Sequence, residues 1–155
     1  MDNEEVFEVI LILAATGHKG QRLRDGKPYI THPLHVAFQF DDLYTMALAV
    51  GHDYLEDVEG ALQKMIEAGL PTRFMADLDL LTHYDYQSYP QYIDKIIWSE
   101  RESVMRVKLG DLEHNMCPNR LNKEELSDKD HERLAKYTRS HFKITKSLEL
   151  ILELL

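Results

Sequence analysis

Cysteine, positive charge and long apolar runs are all scarce in this chain of 155 residues. Cys117 is the single cysteine, so the chain cannot form an internal disulfide. The lack of further cysteines also excludes a metal site built from cysteine pairs. The apolar stretch 6–15 is too short to cross a bilayer, and acidic rather than basic residues precede it. These absences predict a cytoplasmic protein without a membrane segment.

Acidic residues outnumber basic ones: the chain has 27 Asp and Glu but 18 Lys and Arg, which gives a net charge of -9. Binding to a nucleic-acid polymer requires a basic surface that neutralises phosphates, so this balance argues against that class of partner. A small phosphorylated molecule can still bind where a local cationic patch or a metal ion meets its phosphates. The most basic stretch is 20–33, which its glycines and prolines predict to be a loop.

The alternation of β-branched residues that is typical of strands is missing as well. Apolar residues recur at helical spacing almost everywhere, which predicts an all-α fold. The length and the hydrophobic content of 44% fit one domain over residues 1–155. A last amphipathic helix is predicted to follow Ser127 and to continue towards residue 155. The other predicted helices cover residues 3–17 with Asn3 as N-cap, 33–40, 41 or 42 to 57, 59–68, 71–81, 89 or 90 to 98, and 101–115.

Histidines and carboxylates occur in an arrangement that is typical of a metal site. His52 and Asp53 are adjacent, His32 lies upstream, and Asp111 lies downstream. Imidazoles and carboxylates hold a divalent transition metal while leaving positions open for water. A metal held by these side chains would polarise a bound phosphate, so the pattern predicts a metal-dependent hydrolase.

Further polar residues follow these candidates at helical spacing. Glu56 stands four residues after His52 and Asp57 comes next, so a continuous helix would place both acids beside the metal. A carboxylate with a raised pKa could orient or deprotonate the attacking water. Asn115, four residues after Asp111, would project from the same helix face and hydrogen-bond the substrate.

Each of these pairs has an ordinary structural interpretation when it is taken alone. An adjacent His-Asp pair is more often a surface pair or a helix cap than a metal site, with a prior of roughly one in ten for the site. The two acids at 56–57 fit a solvated helix end, and the polar residues at 111–115 fit a solvated helix face. The combination of all of them is what favours a site.

Four ordered segments resemble the hydrolase domain of the RelA/SpoT group, which belongs to the HD-domain metal-dependent phosphohydrolases. They read HKGQ at 18–21, GKPYITHP at 26–33, HDYLED at 52–57 and KLGDLEHNM at 108–116. The resemblance covers nearly the whole chain, as in the small stand-alone members that lack a synthetase domain. It implies an α-helical HD fold with one divalent metal, usually manganese. The implied reaction removes the 3′-pyrophosphate from guanosine tetra- or pentaphosphate.

The resemblance also implies roles for individual residues, carried over by position. Glu56 and Asp57 would serve the attacking water, and Asn115 would contact the nucleotide. The implied metal ligands are His32, His52, Asp53 and Asp111.

The basic loop departs from the pattern of the group. Members typically place there an arginine that stacks on guanine and a lysine that meets phosphate, whereas this chain has Leu23 and Arg24. Arg24 keeps a positive charge for phosphate, but leucine offers no planar cation for stacking. A different phosphorylated nucleotide is therefore an alternative substrate.

A non-catalytic nucleotide-binding or regulatory module on an HD scaffold is the alternative function. Retention of Glu56 and Asp57 weighs against it, because a binding protein has no need to activate water.

Two parts of the C-terminal region admit two interpretations each. The tail 148–155 fits either the core or a contact between copies, which leaves the oligomeric state open. A second set fits either contacts to phosphate and base or a solvated helix face: Arg120, Lys136, Tyr137 and Arg139.

Overall fold

The computed structural model describes residues 1–118 and 126–154, and within them the chain is built from helices. Pairing of the β type is confined in these residues to one isolated bridge between Arg22 and Pro28, inside the loop that follows the first helix. The predicted all-α fold is confirmed. The helices are α1 (Asn3–Gly17), α2 (Thr31–Ala37), α3 (Leu43–Gly51), α4 (Tyr54–Asp57), α5 (Ala61–Glu67), α6 (Thr72–Leu81), α7 (Tyr89–Trp98), α8 (Glu102–Met116) and α9 (Asp128–Glu153).

Side-chain caps set several helix starts. Ser88 and Ser127 each form a capping box at the start of α7 and α9, as their positions in the sequence predict. The predicted cap of α1 is wrong by one residue, because Asp2 and not Asn3 is the N-cap. Asp2 accepts the backbone N–H of Glu5, and the Glu5 carboxylate accepts the backbone N–H of Asp2, so the box D-x-x-E decides the start.

The predicted helix 33–40 is displaced towards the N-terminus, since α2 begins at Thr31 and ends at Ala37. The Thr31 hydroxyl and backbone N–H both donate to the Pro28 carbonyl oxygen, which starts the turn early. Pro33 then falls in the first turn, where a missing N–H leaves no helical bond unmade. His32 therefore lies on a helix and not in the preceding loop.

The predicted continuous helix through residue 57 is wrong, because the chain breaks between α3 and α4 at His52 and Asp53. The Nδ1 atom of His52 lies 2.6 Å from the Ala49 carbonyl oxygen, which in an unbroken helix would accept the backbone N–H of Asp53. His52 is buried whereas Glu56 is exposed. The two side chains therefore do not share one helix face.

Helix α3 lies at the centre of the fold and packs against α1, α2 and α8. Its residues from Ala47 to Val50 are fully buried. A side chain at Gly51 would bring its Cβ atom 2.8 Å from the Cγ1 atom of Ile10, so glycine permits the close approach of α3 to α1. This packing holds the α3–α4 turn at the point where α2 and α8 meet.

The C-terminal helix α9 covers α8 and α7. In its last turns Leu148 and Ile151 pack against the core, while Leu150 and Leu152 are exposed. No helix of the described chain combines the length and the apolar character that a membrane crossing requires.

Candidate metal centre

Side chains from α2, α8 and the α3–α4 turn converge at one place inside the helical core. Ligand atoms of His32, His52 and Asp53 all lie within 4.8 Å of one another. The Oδ1 atom of Asp111 lies 3.1 Å from the Nε2 atom of His32 and 3.6 Å from that of His52. The structure thus places Asp111 beside the cluster of His32, His52 and Asp53, the other three side chains that the sequence predicts as ligands.

The spacing of these atoms suits neighbouring ligands of a single ion. The Oδ2 atom of Asp53 lies 3.1 Å from the Nε2 atom of His52 and 3.6 Å from that of His32. Donors that each bind a metal at about 2.1 Å lie roughly 3.0 to 3.5 Å apart when they occupy adjacent positions.

His52 carries the clearest sign that a cation belongs here. Its Nδ1 atom donates to the Ala49 carbonyl oxygen, so the neutral ring presents the lone pair of Nε2 to the two carboxylates. This Nε2 atom is buried and has no hydrogen-bond partner among residues 1–118 and 126–154. Burial alone would lower the pKa of His52, but the Asp53 and Asp111 carboxylates outweigh it and raise the pKa well above the usual value. A divalent metal would satisfy the same electrostatic demand.

His32 is held from both sides of its ring. Its Nδ1 atom lies 2.7 Å from the Nδ1 atom of His114, and its Nε2 atom faces Asp111. The His114 ring stacks on His32 and, on its other side, on His35. Burial lowers the pKa of His32, which favours the neutral imidazole that binds metals.

The two carboxylates are fixed by donors outside the ligand set. The Tyr29 hydroxyl donates to the Oδ2 atom of Asp53 at 2.5 Å, and the Lys108 ammonium donates to the Oδ2 atom of Asp111 at 2.8 Å. Burial on its own raises the pKa of Asp111, but Lys108 outweighs it and holds the pKa well below the usual value. The pKa of Asp53 is likewise lowered, because His52 opposes the effect of burial. Both side chains are therefore ionised.

The sequence alone predicts no role for Tyr29 and Lys108, although both lie within the segments that resemble the RelA/SpoT group. Lys108 precedes Asp111 by three residues on α8, a spacing that predicts an ion pair on a helix. Its side chain is buried, and its Nζ atom also lies 5.0 Å from the centroid of the Tyr92 ring. No local spacing predicts the contact of Tyr29 with Asp53, since these residues belong to separate elements.

Glu56 and Asp57 are exposed on α4, directly after Asp53. Partial burial raises the pKa of both, and the negative charge of Asp53 raises them further. One oxygen of Glu56 accepts the backbone N–H of His83 at 3.1 Å, which orients the carboxyl group. The two acids are not among the three residues whose ligand atoms form the tight cluster.

The predicted substrate contacts Arg24 and Asn115 line one cavity between the basic loop, α8 and α9. Arg24 is 46% exposed, and its Nη1 atom donates to the buried carboxylate of Asp130 at 2.9 Å. The Asn115 amide donates to the Oδ1 atom of Asp111 at 2.5 Å, so this cavity adjoins the metal centre. Arg120 lies outside the described residues.

Comparison with curated proteins finds similar sequences in one group, although no protein-family model matches the chain. The GTP pyrophosphokinase rsh of Brucella melitensis is 31% identical over 131 residues, which cover 74% of this chain and 17% of the relative. The bifunctional (p)ppGpp synthase/hydrolase SpoT of Escherichia coli is 30% identical over 117 residues, or 68% of this chain and 17% of that protein. The chain thus spans about a sixth of the length of these relatives.

A solved structure of a metazoan ortholog of SpoT, described as hydrolysing ppGpp, matches with a TM-score of 0.72. The match covers 96% of this chain and 92% of that chain at 18% sequence identity. The predicted resemblance to the RelA/SpoT group is confirmed. The structural match shows the all-α HD fold over nearly the whole chain.

The cavity lined by Arg24 and Asn115 differs at one position from the pattern of the RelA/SpoT group. Leu23 lines it at the position where the group typically carries the stacking arginine. Arg133 and Tyr137, from α9, line the same cavity. A guanidinium and an aromatic ring are both chemically able to stack on a base.

Proposed function

We propose that this chain is a metal-dependent phosphohydrolase that removes the 3′-pyrophosphate from guanosine tetra- or pentaphosphate. The observation that carries the proposal is the buried Nε2 atom of His52, which faces two ionised carboxylates without a hydrogen-bond partner among the described residues. Similarity to SpoT and to the metazoan ppGpp hydrolase supports the choice of substrate. All described helices contribute to or pack on one apolar core, which supports a single domain over residues 1–155.

The proposed metal ligands are His32, His52, Asp53 and Asp111. Two neutral imidazoles and two carboxylates balance the charge of a divalent cation, and we propose manganese in a cytoplasmic setting. When bound, such a metal polarises a phosphoryl oxygen and lowers the pKa of a water ligand. Lys108 holds the Oδ2 atom of Asp111, so that Oδ1 stays directed at the cation. Tyr29 donates to the Oδ2 atom of Asp53, the same oxygen that faces the two imidazoles, and so fixes its position.

Glu56 and Asp57 are proposed to orient the attacking water and to accept its proton. Their raised pKa values bring them closer to neutral pH, where a general base works best. The hydrogen bond from the His83 backbone leaves the Oε1 atom of Glu56 for the water. Arg24 is proposed to meet a phosphate and Asn115 to contact the nucleotide, because both line the cavity next to Asp111.

The test is incubation with guanosine 3′,5′-bispyrophosphate and a panel of related nucleotides in the presence of manganese, with products separated by chromatography. We expect guanosine diphosphate and pyrophosphate, and we expect both products to disappear when His52 or Asp53 is replaced by alanine. Metal binding without turnover of any nucleotide would refute the hydrolase. Nucleotide binding under those conditions would instead assign the binding or regulatory module.

A further inference from the structure

A groove of about 390 Å³ runs between α7 and α9. Its floor is apolar and aromatic, and its α9 wall is rich in positive charge. The residues that shape it include Tyr89, Ile93, Glu132, Lys136, Arg139 and Lys143.

Among residues 1–118 and 126–154, only one of the three cations in this wall has an acidic partner. Lys143 pairs with the Asp94 carboxylate. Neither Lys136 nor Arg139 has a carboxylate within salt-bridge distance in the part of the chain that the structure describes, although Glu132 lies in the same wall. The protein carries a net charge of -9, but the lining of this groove is locally positive.

Of these cations, Lys136 is the one that lies against aromatic rings. Its Nζ atom lies 4.1 Å from the centroid of the Tyr89 ring and 5.3 Å from that of Tyr137, and the residue is partly buried. Burial lowers its pKa, and the neighbouring charges of Arg133 and Lys108 lower it further. An anion in the groove would be attracted by several cations at once.

A chain of packed side chains links the groove to the metal centre. The Tyr89 ring centroid lies 5.8 Å from that of Tyr92. The ammonium group of Lys108 lies over the Tyr92 ring and donates a hydrogen bond to Asp111. On its other side Tyr89 lies 6.3 Å from Tyr137, which lines the proposed nucleotide cavity. Tyr137 therefore links the proposed nucleotide cavity to the surroundings of Lys136, whose Nζ atom lies 5.3 Å from the Tyr137 ring centroid, and a second phosphate of a bound nucleotide would reach the groove past this ring.

We propose that the groove is a second phosphate subsite, in which Lys136 and Arg139 bind a phosphate group of the substrate other than the one at the metal. The inference rests on the proposed function for the identity of the substrate. Its physical basis is the unpaired charge next to an aromatic floor, since a phosphate accepts charge-assisted hydrogen bonds from lysine and arginine together.

The test measures pyrophosphate binding by isothermal titration calorimetry, with a chelator present so that no metal contributes. We expect saturable binding to the wild-type chain and an affinity about tenfold lower for Lys136→Ala and for Arg139→Ala, because each loses a charged hydrogen bond. Lys136→Arg should keep most of the affinity. The matched control is Lys146→Ala, an exposed lysine on the same helix that pairs with Glu149, and its affinity should equal that of the wild type. Circular dichroism checks that every variant keeps its helical content.

A kinetic measurement completes the design. With guanosine tetraphosphate and manganese, Lys136→Ala should raise KM about tenfold with little change in kcat. Absence of hydrolysis by the wild type would overturn the proposed function but not the subsite, which the metal-free titration tests independently. No saturable pyrophosphate binding to the wild type, or equal affinity in Lys136→Ala, would overturn the subsite.

Discussion

Replacement of Lys108 by methionine tests the electrostatic account of the metal centre. Lys108 and Asp111 form an ion pair of 2.8 Å between side chains that are 11% and 6% exposed. Removal of one member of a buried pair leaves the other charge without compensation and costs about 3 to 5 kcal/mol. Methionine fills most of the space of the lysine stem, so the loss of packing is small.

The chain supplies a matched control for this change. Lys146 and Glu149 have the same spacing of three residues on a helix and a similar distance of 2.7 Å, but they are 58% and 52% exposed. An exposed pair contributes about 0 to 1 kcal/mol, so Lys146→Met should barely change the free energy of unfolding.

The pH dependence of the effect follows from the pKa of Asp111. Lys108 lowers this pKa in the folded protein, which stabilises the fold above the unfolded value of about 3.9. The wild type loses this contribution only as the pH falls through the lower, folded pKa. In Lys108→Met the pKa of Asp111 should rise, so that the carboxylate takes up a proton sooner. The stability difference between the two proteins should therefore shrink at about pH 4.

The assay is urea unfolding in the presence of a chelator, followed by circular dichroism at neutral pH and again at about pH 4. Equal destabilisation by Lys108→Met and Lys146→Met at neutral pH would refute the reasoning. A difference that stays constant with pH would show that lost packing, and not an uncompensated charge, causes the effect.

Three further predictions concern the centre and its cavity. Tyr29→Phe removes the donor to Asp53, so manganese affinity measured by calorimetry should fall about tenfold; an unchanged affinity would show that the hydroxyl does not position the carboxylate. Glu56→Gln should lower kcat by about 10²- to 10⁴-fold while manganese affinity is retained, and a variant with full turnover would exclude Glu56 as the base. Leu23→Arg should lower KM for guanosine tetraphosphate by adding a stacking guanidinium, whereas an unchanged or raised KM would contradict a stacking role at this position.

Much of the helical architecture was predictable from local signals. Apolar spacing predicted the helices, and Ser88 and Ser127 marked two of their starts, because a capping side chain acts within one helical turn. The types of the four candidate ligands were also readable, since imidazole and carboxylate chemistry does not depend on the fold.

Other features of the site needed the packed chain. The break at His52 and Asp53 arises because the His52 ring hydrogen-bonds the Ala49 carbonyl oxygen where α3 meets α1 and α2, and helical periodicity carries no sign of it. The Tyr29 hydroxyl reaches Asp53 across 24 positions of sequence only because the basic loop folds over the α3–α4 turn.

The sequence by itself determined the all-α class, most of the helices and the types of the candidate metal ligands, because these depend on residue type and short-range spacing. Only the tertiary structure decided that His32 and Asp111, 79 positions apart, face each other, and that Lys136 lies over the Tyr89 ring. These contacts join separate helices, and their geometry is set by how the helices pack around α3.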